Sequence, residues 1–202
     1  LRLMPGEDVP RCDGAGREAR TTVLAREPGL VRLQGEALFP SESEPRLRVS
    51  VYMGFPKADK LEHVVQKATE LGAFEIVAFP CERSISRPDA KSLSKKLERW
   101  QKIAASAAEQ SGRGRLPQVL TLPSFDAAVA RASQADWAAL FYEKERDGSI
   151  AATLPPELAT AAILTGPEGG LTEDEVDKAR QAGVKVCTLG KRILRCETAP
   201  LC

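Results

Sequence analysis

From about residue 47 onward, short apolar runs alternate with longer stretches whose apolar positions recur every three or four residues. Residues 49–55 form a compact β-prone run and predict a strand. Residues 59–71 predict a helix, because Leu61, Val64, Val65, Ala68 and Leu71 fall on one stripe. Asp59 and Glu62 offer a capping pair at its start, and Gly72 stands where a left-handed stop is expected. A strand over 75–79 is followed by a long helix over 92–109, with Leu93, Leu97, Trp100, Ile103, Ala104 and Ala107 inward. A strand over 118–122 comes next, then a helix capped by Ser124 and running to about residue 133. Residues 137–142 and 161–165 read as buried strands. Thr172 with Glu175 forms a capping box for a helix to Ala182, which Gly183 stops, and residues 184–189 close the series. Such alternation predicts an α/β domain with a largely parallel sheet covered on both faces.

Residues 1–46 follow a different pattern. Two β-prone runs, 20–24 and 29–33, are separated by the turn formers Asp13-Gly14-Ala15-Gly16 and Glu27-Pro28-Gly29. No helical period is present, so a small β-rich domain is expected, with its first strands missing from the chain. The Pro- and Ser-containing stretch 39–45 makes a natural linker. The division is therefore 1–46 and 47–202.

Composition narrows the function classes. At 202 residues, 43% hydrophobic and 28% charged, the chain can bury a sizeable core beneath a polar surface. Its 29 Lys and Arg against 28 Asp and Glu leave a formal net charge of +1, so any contact with nucleic acid must rest on a local patch. No run of residues is long and apolar enough for a membrane span, and the opening residues lack the apolar core of a signal peptide. Five scattered cysteines without a C-x-x-C pair argue against a disulfide framework or a metal site and fit a reducing cytoplasm.

Two loops carry the candidate chemistry, both beyond the carboxyl end of a strand, where such sheets bind ligands. The first, 164–171, reads Leu-Thr-Gly-Pro-Glu-Gly-Gly-Leu; its glycines let backbone approach a ligand closely, and the helix at Thr172 follows at once. A tight strand-to-helix turn would account for the same spacing. The second, 189–200, sets Lys191, Arg192 and Arg195 around the apolar Ile193 and Leu194, with Glu197 beside them. Burial of the apolar pair would leave those charges paired or facing a ligand, and an ordinary ion pair at a helix start is the plainer reading. A weaker signal is Arg113 after Glu109-Gln110-Ser111-Gly112, which could join Arg83, Arg87, Lys191 and Arg192 in a basic face. Familiar nucleotide loops fail: Gly14-Ala15-Gly16 is not followed by a helix, and no G-x-x-x-x-G-K-[ST] run exists. The single histidine, His63, sits on a predicted helix, which counts against a Ser-His-Asp hydrolase.

In combination and order, these stretches resemble the 16S ribosomal RNA uridine N3-methyltransferase family of the SPOUT class. The resemblance rests on Lys67-Ala68-Thr69-Glu70-Leu71-Gly72, Glu109-Gln110-Ser111-Gly112-Arg113, residues 164–170 and residues 189–199. It extends to the opening residues, which are similar to the middle of that family's PUA-like RNA-binding β-barrel. The implied fold is a SPOUT-type knotted α/β domain whose C-terminal segment threads a loop, a rare topology that no periodicity could predict. The implied cofactor is S-adenosylmethionine, with Leu164, Thr165, Gly166, Glu168, Gly169, Leu189, Gly190, Ile193 and Leu194 as its binding residues. The implied partners are 16S ribosomal RNA in the small subunit and a second copy of the chain, with neither a metal nor a membrane. The family's C-terminal helix is expected to be absent here. Cys196 stands where Thr or a small apolar residue is expected; little consequence is expected, although a thiol exposed there would be open to oxidation.

Transfer to uracil N3 requires a developing anion to be stabilised in line with the methyl group. On that basis Arg195 is expected to supply the positive field and Glu197 to orient it. Arg113, Lys191 and Arg192 are expected to grip phosphates flanking a splayed-out uridine. Another SPOUT enzyme acting on a ribose 2′-hydroxyl or a tRNA base, or a non-catalytic RNA-binding assembly factor, are the alternatives.

Overall fold

The computed structural model describes residues 3–202. Leu1 and Arg2, the start of the stretch expected in the front domain, lie outside the described residues.

The front of the chain forms a four-stranded antiparallel sheet from β1 (Asp8–Cys12), β2 (Arg17–Glu27), β3 (Leu30–Gly35) and the short β4 (Phe39–Pro40). β4 falls within the expected linker, where it pairs with the start of β2. The turn between β1 and β2 is held by Asp13, whose carboxylate accepts from the Ala15 and Arg17 amides (2.8 and 3.1 Å) and from Arg17 Nε at 2.7 Å. Those donors, the Ala15 amide first, lower the Asp13 carboxyl to about 2.

The rest follows the alternation in the sequence. In order come β5 (Arg48–Gly54), α1 (Lys60–Glu70), β6 (Glu75–Phe79), α2 (Ala90–Ser111), β7 (Gln118–Thr121) and α3 (Phe125–Ala132). Then follow β8 (Trp137–Phe141), α4 (Ile150–Thr153), β9 (Thr160–Thr165), α5 (Glu173–Gln181) and β10 (Lys185–Cys187). The six strands pair in the order β10-β8-β9-β5-β6-β7, every pair parallel. Because successive strand residues face opposite sides, Tyr52 packs with Phe79, Phe125, Leu140, Leu164 and Val176 under α3 and α5. Its neighbours Val51 and Met53 pack with Leu61, Val65, Ile76 and Trp100 under α1 and α2.

Three local differences have physical reasons. Asp59 makes no side-chain cap, because its φ of −92° and ψ of 12° are not the extended backbone that a capping carboxylate needs. Thr172, with ψ 161°, forms the full capping box with Glu175. Leu71, expected on the apolar stripe, is 66% exposed, because α1 ends at Glu70 and Leu71 is already the cap.

Two features position the site. The front sheet docks on the loop after α2: the Gly16 amide donates to the Gly114 carbonyl (3.0 Å) and the Leu116 amide to that of Gly14 (2.9 Å). At the other end, the chain leaves edge strand β10 and returns across the sheet. A closing 3-10 turn, Ala199–Leu201, packs on α1, β5 and β9. Cys196 and Leu201 thereby join the core under α1 and α2, on the route that the family resemblance expects to be threaded.

Candidate functional site

A cavity of about 420 Å³ lies over the carboxyl ends of three neighbouring strands, β10, β8 and β9. β9 feeds the wall formed by Thr165 to Gly170, β8 supplies Phe141, Tyr142, Glu143 and Arg146, and β10 supplies Thr188 to Cys196. Lys60, at the start of α1, closes the side nearest β5. The two loops singled out in the sequence therefore line one cavity.

Of the residues expected there, Thr165, Gly166, Glu168, Gly169, Leu189, Gly190, Ile193, Leu194, Lys191, Arg192 and Arg195 all reach its wall. Leu164 does not. It is 1% exposed and belongs to the core under α3 and α5, because the last inward residue of β9 points into the sheet's packing. The expectation that Ile193 and Leu194 would be buried together is also corrected, since Ile193 is 79% exposed at the rim and Leu194 is half-buried.

Arg113 is elsewhere, and its expected role as a phosphate grip is not compatible with its position. Its side chain is 3% exposed and pairs with Glu44 at 2.7 Å, while Nη1 donates to the carbonyls of Thr69 (3.1 Å) and Ala73 (2.7 Å). It satisfies a C-terminal carbonyl of α1, that of Thr69, and one in the loop beyond it, that of Ala73, from within. The Gly112 cap in the left-handed region, φ 70°, turns the chain so that Arg113 points inward.

Glu197 does not orient Arg195. A turn in which the Thr198 and Ala199 amides donate to the Arg195 carbonyl sends Arg195 outward and Glu197 toward α1. There Lys60 Nζ lies 3.2 Å from Glu197 Oε2 and 3.0 Å from Glu168 Oε1, and donates to Cys196 Sγ at 3.6 Å. Glu168 also accepts the Lys57 amide on both oxygens, at 3.0 and 3.2 Å. The pair with Glu168 is the main cause of the rise in the Lys60 pKa. Burial alone would raise the Glu168 carboxyl, but Lys60 and the amide donors override it and hold the group below its ordinary value. Glu197 is likewise lowered, first by its own backbone amide and then by Cys196 and Lys60 against burial. Burial and its bond to Glu197 push the Cys196 thiol up to about 12, and the sulfur is half-buried, so the exposure that would open it to oxidation is not met in full.

Lys191, Arg192 and Arg195 form no ion pair or side-chain hydrogen bond with the described residues, and all three are exposed. Sequence reading missed Lys60, Tyr142 and Glu143. Lys60 sits on a surface-patterned helix start, and Tyr142 and Glu143 come directly after the end of β8, a strand read only as core. The position of 142–146 after a buried strand, beside the two loops already chosen, was the available signal. His63 lines a separate groove between α1 and α2. Among the described residues no group of three or more His, Cys, Asp or Glu could hold a metal, and no helix is long and apolar enough to cross a membrane.

Residues 42–202 match the model of the RNA methyltransferase domain family. The chain is 37% identical over 207 residues to ribosomal RNA small subunit methyltransferase E of Bacillus subtilis, an alignment covering all of this chain and 81% of the relative. The chain belongs to the ribosomal RNA small subunit methyltransferase E family. Its fold is correspondingly of the SPOUT type, a parallel α/β domain behind a small antiparallel sheet. The crystal structure of the Neisseria gonorrhoeae family member bound to S-adenosylmethionine superposes with a TM-score of 0.88 at 32% identity, covering 100% of this chain and 82% of that one. A Legionella pneumophila methyltransferase in complex with the same cofactor gives 0.84 at 25% identity, covering 100% and 82%.

Proposed function

We propose that the protein methylates N3 of a uridine in 16S ribosomal RNA of the small subunit, with S-adenosylmethionine as donor. The observation that carries this reading is the convergence of the glycine loop and the cationic loop on one cavity, in a chain of this family. The cavity suits the cofactor in three ways. Its volume of about 420 Å³ is that of a small-molecule site. Gly170, with φ +68°, has no side chain to fill the space against Glu143, where a Cβ would come within 2.7 Å of Oε1. Tyr142, on the wall, carries a buried hydroxyl with no hydrogen-bond partner among the described residues.

Thr165, Gly166, Glu168, Gly169, Leu189, Gly190, Ile193 and Leu194 would hold the cofactor, the glycines presenting backbone donors and acceptors and the apolar pair covering the base. When bound, the cofactor supplies a methyl group made electrophilic by its sulfonium. The protein's own task is to hold N3 in line and to stabilise charge spreading onto the uracil oxygens as the N3 proton leaves. Arg195, exposed at the cavity and without a carboxylate partner among the described residues, supplies that positive field. Glu168 and Glu197, held below their ordinary values, are poor proton acceptors and serve as structural partners of Lys60. Lys191 and Arg192 grip flanking phosphates, and the front domain, residues 1–46, adds RNA-binding surface.

The exposed Ile193 at the cavity rim supports a homodimer in which a second copy covers it. Five unpaired cysteines fit work in the cytoplasm. Small-subunit particles incubated with the protein and a labelled methyl donor should yield 3-methyluridine on nuclease digestion and mass spectrometry. A 2′-O-methyl nucleoside, or no incorporation by protein that binds the donor, would overturn the reading.

A further inference from the structure

The charges around the cavity do not balance locally. Lys60 is neutralised by Glu168 and Glu197, which leaves Arg146, Lys191, Arg192 and Arg195 on the wall without a described carboxylate partner. One acidic side chain on the wall is likewise free. Glu143, just after β8, is exposed, lines the cavity and makes no ion pair or hydrogen bond with the described residues. Its carboxylate lies against Gly170, on the glycine-loop side of the cavity. A positively charged group entering this cavity meets four cations without a described partner and one carboxylate left free to attract it, that of Glu143.

S-adenosylmethionine brings such groups: a sulfonium and an α-ammonium outweigh its one carboxylate. Resting on the cofactor reading above, we infer that Glu143 is the counter-charge for the cationic methionine end and so sets the direction in which the cofactor lies. That end sits beside Glu143 and Gly170, and the adenosine lies toward the 189–194 loop. Glu143 then acts as a specificity residue for the donor, selecting a charged methionine end over an uncharged thioether. Gly170 serves the same end, because any side chain there would push the carboxylate aside.

Calorimetric titration of the Glu143→Gln protein with S-adenosylmethionine, S-adenosylhomocysteine and 5′-methylthioadenosine tests this. The first carries both positive groups, the second the ammonium alone, and the third neither. Glu143→Gln should weaken S-adenosylmethionine about tenfold and leave methylthioadenosine within about twofold, with Glu143→Asp in between. A loss shared with S-adenosylhomocysteine assigns the contact to the ammonium, and a loss confined to S-adenosylmethionine assigns it to the sulfonium. Equal weakening of all three ligands, unchanged binding of all three, or lost turnover with unchanged binding would overturn the inference. Unsubstituted protein that binds none of the three would refute the cofactor reading itself, a result distinct from these.

Discussion

Lys60 Nζ lies 3.0 Å from Glu168 Oε1, although 108 residues separate the two in the chain, and a further 3.2 Å contact to Glu197 ties a third segment to the same ammonium. One lysine at a helix start therefore joins the glycine loop to the returning C-terminal segment, the two walls of the cavity. The Lys60→Met protein keeps the aliphatic stem but loses the tie, and leaves two carboxylates facing each other. Its affinity for S-adenosylmethionine should fall by about tenfold, roughly 1.4 kcal/mol, while Lys60→Arg recovers part of it. Calorimetry on the three proteins checks this, and unchanged affinity in Lys60→Met would rule the tie out.

The same cluster predicts a pH window. Glu168 and Glu197 carry lowered values in the folded protein, so they favour folding above the ordinary carboxylate range and lose that contribution as pH falls through their depressed values. Lys60 carries a raised value, so its contribution is complete below the ordinary lysine value and is lost only as pH climbs through the raised one. The cluster is intact from roughly pH 5 to pH 10. Melting temperatures of the wild type and Lys60→Met should differ most inside that window and converge toward acid. A constant difference down to strong acid would contradict it.

Arg113 and Glu44 test the corrected view of the motif after α2. The Arg113 side chain is 3% exposed and that of Glu44 14%, at 2.7 Å. Removing one partner of a buried pair strands the other, at a cost of about 3–5 kcal/mol. Arg113→Met should therefore lower stability by about that amount in urea unfolding. Its affinity for RNA should keep the wild-type salt dependence, because no phosphate contact has gone. A flattened salt slope with unchanged stability would restore the surface role.

What the sequence made legible was periodicity. α1, α3, α5 and the strands of the parallel sheet fall within a few residues of their expected positions, because each pairs a clear apolar period with a nearby stop or cap. The two loops were legible for the same reason, each being an anomaly between regular elements. The partners of charged residues were not legible. That Arg113 turns inward depends on the left-handed Gly112 and on carbonyls at Thr69 and Ala73, some forty residues away. That Glu197 meets Lys60 instead of Arg195 depends on the route of the returning segment, which sequence spacing cannot specify. Glu143 was missed because it follows a strand, Trp137–Phe141, that is buried throughout and drew attention only as core.

Gly54, at the end of β5, supports the cavity from below. A Cβ there would stand 2.6 Å from Cys81 Sγ and 2.7 Å from Pro167 Cδ, with the Pro167 backbone nitrogen at 3.0 Å. Neither the core cysteine nor the proline ring can swing away cheaply, so Gly54→Ala must shift the 166–170 loop. Overpacking of this kind costs about 1–3 kcal/mol. Gly54→Ala should melt earlier and bind the cofactor more weakly, whereas Gly183→Ala, which meets nothing within 4 Å, should lose stability without losing cofactor affinity. Equal cofactor affinity in the two variants would contradict the argument.

Arg195 decides between chemistry and binding. It stands at the cavity wall, exposed and without a carboxylate partner, and the carbonyl that turns the chain behind it is fixed by the Thr198 and Ala199 amides at 2.9 and 3.0 Å. A guanidinium so placed costs little reorganisation when charge develops on the uracil oxygens, and removing one such donor lowers turnover by about 10²–10³. The cofactor, net positive itself, gains nothing from a nearby cation before the RNA arrives. Arg195→Ala should therefore lose turnover on small-subunit particles by about that factor and keep, or slightly improve, its affinity for S-adenosylmethionine. Arg195→Lys keeps the charge without the planar fork and should fall between. Single-turnover rates set against calorimetric affinities separate the effects: a parallel loss of both would make Arg195 a cofactor ligand, and a loss of neither would leave the uracil anion to another group.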